Sequence, residues 1–139
     1  MPVDPSELRS EIGQPPASAP PRRESPQRRR RLPRHPGCRL AAELVSGRFE
    51  VPATQIVARR RGSRRVARAR QAAMYLAHVA MGVPVAAVGR AFRRDRTTVS
   101  YACHRVEDRR DDPGFDAALS DLELTARIAL ESYLPRNPA

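Results

Sequence analysis

The sequence predicts an all-α domain of about six helices built around a central helix-turn-helix. Three observations carry that prediction. From residue 38 onward apolar side chains recur at helical spacing, and no run alternates as a strand would. Most proline and glycine residues there fall at the edges of those runs. Between Pro84 and Arg110 a short apolar run, a three-residue polar break and a longer run follow one another.

Each element has its own pattern. Leu40, Ala41, Leu44 and Val45 make the first stripe, closed by Gly47 and followed by Phe49 and Val51. Pro52 suits the first turn of a small helix carrying Ile56 and Val57, since its fixed φ is already helical. Val66 to Met81 is the longest expected helix, with Ala69, Ala73, Leu76 and Ala80 on one face and Gly82 as its stop. Pro84 opens a helix that points Val85, Val88 and Phe92 inward, and Arg93-Arg94-Asp95 breaks it. Val99, Ala102, Cys103 and Val106 then give the cleanest amphipathic signature, in a helix ending before Pro113-Gly114. Phe115, Ala118, Leu119, Leu122, Ala126 and Ala129 line a last helix. The domain is expected over residues 37–134, with a short tail at 135–139.

Residues 1–36 differ in kind. They hold nine of the 14 prolines, eight arginines and four acids, with almost no large apolar side chains. Such a segment cannot bury enough surface to offset the entropy of ordering, so it reads as a disordered basic tail, densest at Arg28-Arg29-Arg30-Arg31. A solvated tail is the simpler reading, and non-specific phosphate contact the functional one.

All 26 basic residues are arginine, against 15 acids, for a net charge of +11. A chain without lysine has no P-loop lysine to reach a nucleotide's phosphates and no Schiff-base chemistry. The charge points to a polyanion, nucleic acid first and an anionic membrane second. No signal-peptide core or run of 18 apolar residues is present, which sets the membrane aside as a partner. Cys38 and Cys103 fit free thiols in a reducing cytoplasm, so a cytoplasmic, nucleoid-associated location is expected. Pooling His35, Cys38, Cys103 and His104 into a zinc site suits helical geometry badly, because adjacent helical residues point about 100° apart. No metal, cofactor or catalytic constellation is expected, and the chain does not read as an enzyme.

The charge is not evenly spread. Arg59 to Arg105 holds 12 arginines and one acid, Asp95, whereas Glu107 to Glu131 holds eight acids and three arginines. A merely soluble surface would intersperse the signs. Focused basic charge around a helix-turn-helix is the electrostatic footprint of a DNA-binding face. That motif places the start of its second helix in the major groove. Here the start offers Asp95, Arg96, Thr97, Thr98, Ser100 and Tyr101. Asp95 can cap the helix and accept from a base amino group, Arg96 can pair with guanine, and threonine has a hydroxyl and a methyl for thymine. The plainer reading is that Asp95 only caps the helix and the two threonines only begin it.

Two runs resemble a known family. Arg68-Ala-Arg70-Gln71-Ala-Ala-Met74-Tyr75-Leu76-Ala77 resembles the R-P-R-Q-I-A-M-Y-L run of the bacterial replication initiator DnaA. Val88-Gly89-Arg90-Ala91-Phe92-Arg-Arg-Asp95-Arg96-Thr97-Thr98-Val99, continued by Ala102-Cys103-His-Arg105-Val106-Glu107, is similar to I-G-R-A-F-G-R-D-H-T-T-V-x-x-A-C-R-K-I-E. Residues 38–61 are similar to that family's leading helix and basic loop. The resemblance covers about residues 38–125 and only the C-terminal DNA-binding domain (domain IV). It implies a Trp-repressor-like arrangement of helices.

The resemblance also implies roles. The family reads duplex DNA at the DnaA box with its second helix in the major groove and a loop arginine in the minor groove. By matched position Asp95, Arg96 and Thr97 would read bases, with Thr98 helping. Arg70 and Gln71 would touch phosphates, and Val85-Ala86 would stand where the family packs a Leu-Pro pair. The minor-groove arginine aligns with Gly62, so Arg61 or Arg64 would replace it. Arg65 and Arg94 complete the expected DNA-binding set. Three departures stand out: Arg96 for the family's histidine, Ala69 for its proline, and the lost Leu-Pro pair.

Three functions follow. The first is sequence-specific binding of double-stranded DNA as a monomer at DnaA-box-like sites, acting in or regulating replication initiation without ATPase activity. The second is a transcription regulator with specificity shifted through Arg96. The third is an interaction module for the replication initiator or its regulators, with the acidic last helix as its contact face.

Overall fold

The computed structural model describes residues 32–133 of the 139. Arg28–Arg31 with the rest of 1–31, and the tail at 134–139, lie outside the described residues. Within them all regular structure is helical: α1 (Pro36–Phe49), α2 (Ala53–Ile56), α3 (Arg64–Tyr75), a π-helical turn (Leu76–Ala80), α4 (Val85–Phe92), α5 (Arg96–Arg109) and α6 (Pro113–Tyr133).

The helix ends follow local chemistry, and several fall where the apolar stripes do not place them. Pro36 sits in the first turn of α1, and the His35 ring accepts from the Gly37 N–H at 3.1 Å. Leu32, expected in the tail, packs half-buried against the core. Gly47 does not stop α1. It lies exposed inside the helix, which runs on to Glu50, a left-handed residue with φ 55°. A mid-helix glycine costs only about 1 kcal/mol relative to alanine. Burial of Cys38, Ala41, Ala42 and Val45 on the same helix outweighs it.

α3 starts earlier than expected, because Ser63 caps it by accepting from the Val66 N–H at 3.2 Å. The helix then widens. The Met81 N–H reaches the Leu76 carbonyl at 3.2 Å, five residues back, and the Val83 N–H reaches that of Ala77 at 3.0 Å. His78 Nδ1 lies 2.8 Å from the Val83 carbonyl, which pins the turn, and Gly82 reverses the chain at φ 70°. The longest helix is α6 with 21 residues, against 12 in α3, because Pro113 occupies its first turn instead of separating it from α5.

α3 is central: α1, α2 and α5 pack on it, α6 closes over α1 and the π turn, and α4 leans on α5. Ile56, Met74, Leu76, Phe92, Val99 and Leu119 are among the largest fully buried side chains. Cys38 and Cys103 are buried free thiols, and burial pushes Cys38 up to about 11, so it packs as a small hydrophobe.

α4 and α5 meet across the three-residue turn read from the sequence. The Arg94 N–H closes on the Gly89 carbonyl at 2.8 Å, and Arg93 takes the left-handed conformation at φ 57°. A Cβ on Gly89 would stand 2.6 Å from the Arg94 carbonyl oxygen, so this close approach admits only glycine. Val88 and Phe92 of α4 and Val99, Ala102, Cys103 and Val106 of α5 are buried, α4 packing on α5, α1 and the π turn and α5 on α3.

Candidate nucleic-acid interface

The basic loop between α2 and α3 is shaped by two arginines that lie beneath it. Arg70 is 4% exposed. Its Nε donates to the Ile56 carbonyl at 2.8 Å, Nη1 to Arg61 at 3.0 Å, and Nη2 to Gln55 at 3.0 Å and Arg60 at 2.8 Å. Burial, then the charge of Arg94, pull its pKa down to about 10. Such a guanidinium stays charged at neutral pH, and the four carbonyl dipoles compensate it. Arg94 is the second support. Its Nη2 donates to the Ala58 carbonyl at 3.1 Å, and its Nη1 to Phe92 at 3.0 Å and Arg93 at 3.2 Å. One side chain thereby ties the helix-turn-helix turn to the basic loop. With the carbonyls of 55, 56, 58, 60 and 61 held inward, the side chains of Arg59, Arg60 and Arg61 are left exposed.

The start of α5 stands beside this loop. Asp95 Oδ1 accepts from the Thr98 N–H at 2.7 Å, and the hydrogen bonds from Thr98 hold the carboxyl below its usual range. Asp95 is therefore a helix cap and, as an exposed carboxylate, still an acceptor for an amino group. Arg96 and Thr97 are exposed, and Thr98 is half-buried. Arg61, Arg70, Gln71, Arg94, Thr98 and Tyr101 line one cleft of about 500 Å³ between the loop, α3 and α5. Tyr101 is 59% exposed.

The remaining residues of the expected set fall elsewhere. Arg64 lines an adjoining cleft of about 450 Å³ with Arg61 and Gln71. Val85 and Ala86 are half-buried at the start of α4. Arg65 turns to the end of α1, donating to the Phe49 carbonyl at 2.7 Å and that of Glu50 at 3.4 Å. Arg70 is likewise not positioned as an open phosphate contact: it is buried, and four donor contacts are spent on the loop. Arg68, Arg105 and Arg109 join the basic surface and were absent from the expected set. Their signal was present in the spacing, since Arg64 and Arg68, and Tyr101, Arg105 and Arg109, each recur every fourth residue of a helix.

The acidic last helix is partly committed to structure. Arg110 at the end of α5 donates to Asp116 and Glu123 of α6, to Ser120 Oγ at 2.9 Å and to the Tyr75 hydroxyl at 3.2 Å. Burial opposes its charge, but the bonds to Asp116, Glu123 and Tyr75 prevail and raise its pKa. No described helix is long and apolar enough to cross a membrane, and no group of three or more possible metal ligands occurs among the described residues.

Residues 40–106 match the family model described as the bacterial dnaA protein helix-turn-helix. This segment is similar to the DnaA-type helix-turn-helix. A solved structure described as a DNA replication initiation factor is 27% identical, with a TM-score of 0.62, over 75% of this chain and 32% of that one. The chain thus spans about a third of that protein's length. Comparison with curated proteins gives no match. The departures from that family's run acquire physical meaning in this structure. Gly62, where the family's loop arginine aligns, has φ 72°, and a Cβ there would press on Val66 at 3.1 Å. An arginine at 62 is disfavoured by this loop conformation, whereas Arg61 beside it is exposed. Arg93 takes the place of a glycine in the family run and holds the left-handed angle that glycine would hold without strain.

Proposed function

We propose that the protein binds double-stranded DNA sequence-specifically, with α5 in the major groove, at DnaA-box-like sites, and that it acts in or regulates replication initiation. The supporting observation is the acid-poor basic surface around the start of α5, held in shape by Arg70 and Arg94. Asp95, Arg96 and Thr97 carry the base contacts, Thr98 assists, and Arg61 takes the minor-groove role in place of the family's loop arginine. Gln71, Arg64 and the other exposed loop arginines hold phosphates, which position the domain without carrying sequence information. The DNA binding proposed here draws on these residues alone, which hold no lysine for a P-loop, and needs no nucleotide hydrolysis. One domain engages one site as a monomer.

One observation favours a second reading. Arg96 is exposed where the family has histidine. A guanidinium prefers the O6 and N7 of guanine, a contact worth ~1–3 kcal/mol of discrimination. A regulator of transcription with altered specificity would use that difference. Selection of bound sequences from a random duplex library, at a stated salt concentration, separates the two. A DnaA-box-like consensus supports the replication role, and a consensus changed to guanine at one position supports the regulator. No enrichment would refute both.

A further inference from the structure

Base reading by the start of α5 leaves the C-terminal half of that helix unexplained. There Arg105 and Arg109 face Arg68 of α3 across the second cleft, whose lining contains no acid. Among the described residues, the side chains of Arg61, Arg64, Arg68, Arg105 and Arg109 make no hydrogen bond or ion pair, as is also true of Arg59, Arg60, Arg90, Arg93 and Arg96, but only the first five line this one cleft together. Arg39, Arg65, Arg70, Arg94 and Arg110 each have at least one. Arg109 is the most exacting case. Its guanidinium lies 4.3 Å over the Phe115 ring, and its Nη1 is buried without a partner. Burial, then the charges of Arg68 and Arg105, lower its pKa. Three like charges gathered around a partly desolvated cleft repel one another, and an anion of several oxygens offsets that repulsion through charge-assisted bonds to planar guanidinium forks.

We infer that the cleft between α3 and α5 at Arg68, Arg105 and Arg109 is a second phosphate-binding site, occupied by backbone phosphates of the same duplex that α5 reads. Two observations favour the duplex over a free phosphate compound. Arg61, Gln71 and Tyr101 line both this cleft and the one at Thr98 and Arg94, so the two form one trough. From Thr98 to Arg109 the trough follows 11 residues of α5, ~16 Å at 1.5 Å per residue, enough for more than one phosphate of a strand that advances ~3.4 Å per nucleotide. The site adds affinity and salt dependence and leaves sequence preference to Asp95–Thr98. The inference rests on duplex DNA being the ligand of α5.

The test compares the full chain with an Arg68→Gln/Arg105→Gln double variant. Both side chains are exposed, so the variant should melt at the wild-type temperature. Duplex affinity is measured across a salt series on the selected sequence and on a scrambled one. The slope of log affinity against log salt should shrink by about 1.8, at ~0.9 for each phosphate lost, with the ranking of the two duplexes unchanged. An unchanged slope, or a lost ranking of the two duplexes, would overturn the inference while leaving the proposed DNA binding intact. Inorganic pyrophosphate supplies the separate arm, read as a shift in melting temperature. If the wild type binds no duplex but is stabilised by pyrophosphate through Arg68 and Arg105, the proposed function fails and the duplex is excluded as the occupant. Absence of both responses overturns the site altogether.

Discussion

Arg93 and Gly89 share one turn and carry opposite backbone demands. Arg93 adopts φ 57° with a full side chain, where the resembling family run has glycine, and a non-glycine residue in that region costs roughly 1–2 kcal/mol. Arg93→Gly should therefore raise stability by about 1 kcal/mol in a denaturant titration. Gly89→Ala should lower it by about 1–3 kcal/mol, because the new methyl meets a backbone carbonyl that cannot move without opening the turn. Equal effects of the two substitutions would mean that the turn is looser than its geometry implies. The sequence alone exposed Gly89 as a match to the family run, but the 2.6 Å approach that makes glycine necessary arises only when the two helices meet. Gly62 was legible only as a missing arginine, and its left-handed angle supplies the reason.

At the scale of elements, the helix-turn-helix was readable because Val85, Val88 and Phe92 before a polar break, and Val99, Ala102, Cys103 and Val106 after it, repeat at helical spacing. The ends of α1 and α3 were less so. They depend on His35 and Ser63 as caps and on Glu50 in a left-handed cap, and none of these interrupts an apolar stripe. The roles of Arg70 and Arg94 were hidden for a different reason. An arginine inside a basic run looks like a surface charge, and only the chain reversal at the loop turns these two toward carbonyls. Arg94→Ala should release the loop from the turn. The expected result is faster amide hydrogen exchange over residues 57–62, with α4 and α5 still protected and duplex affinity reduced several-fold. Unchanged exchange in the loop would show that Arg70 alone holds it.

Across the whole molecule the charge separates by element. The loop, α3 and the helix-turn-helix carry the arginine excess, and the end of α5, the turn after it and α6 carry eight acids between Glu107 and Glu131. Two of those acids are bound to Arg110, so α6 serves first as a packed lid on α1 and the π turn. Arg110→Met should cost about 1.5–3 kcal/mol, the range for hydrogen bonds to charged groups, measured as a shift in denaturation midpoint. An unaffected midpoint would assign the acids of α6 to the surface instead. The proposed function divides labour, with the start of α5 reading bases and the surrounding arginines holding phosphates. It is tested most directly by the affinity ratio for the selected over a scrambled duplex, at one fixed salt concentration, in the wild type and in Arg96→Ala/Thr97→Ala. The ratio should collapse toward one in the variant while binding to both duplexes persists and remains salt-sensitive. A variant that keeps the wild-type ratio would contradict the assignment of α5 as the reading helix.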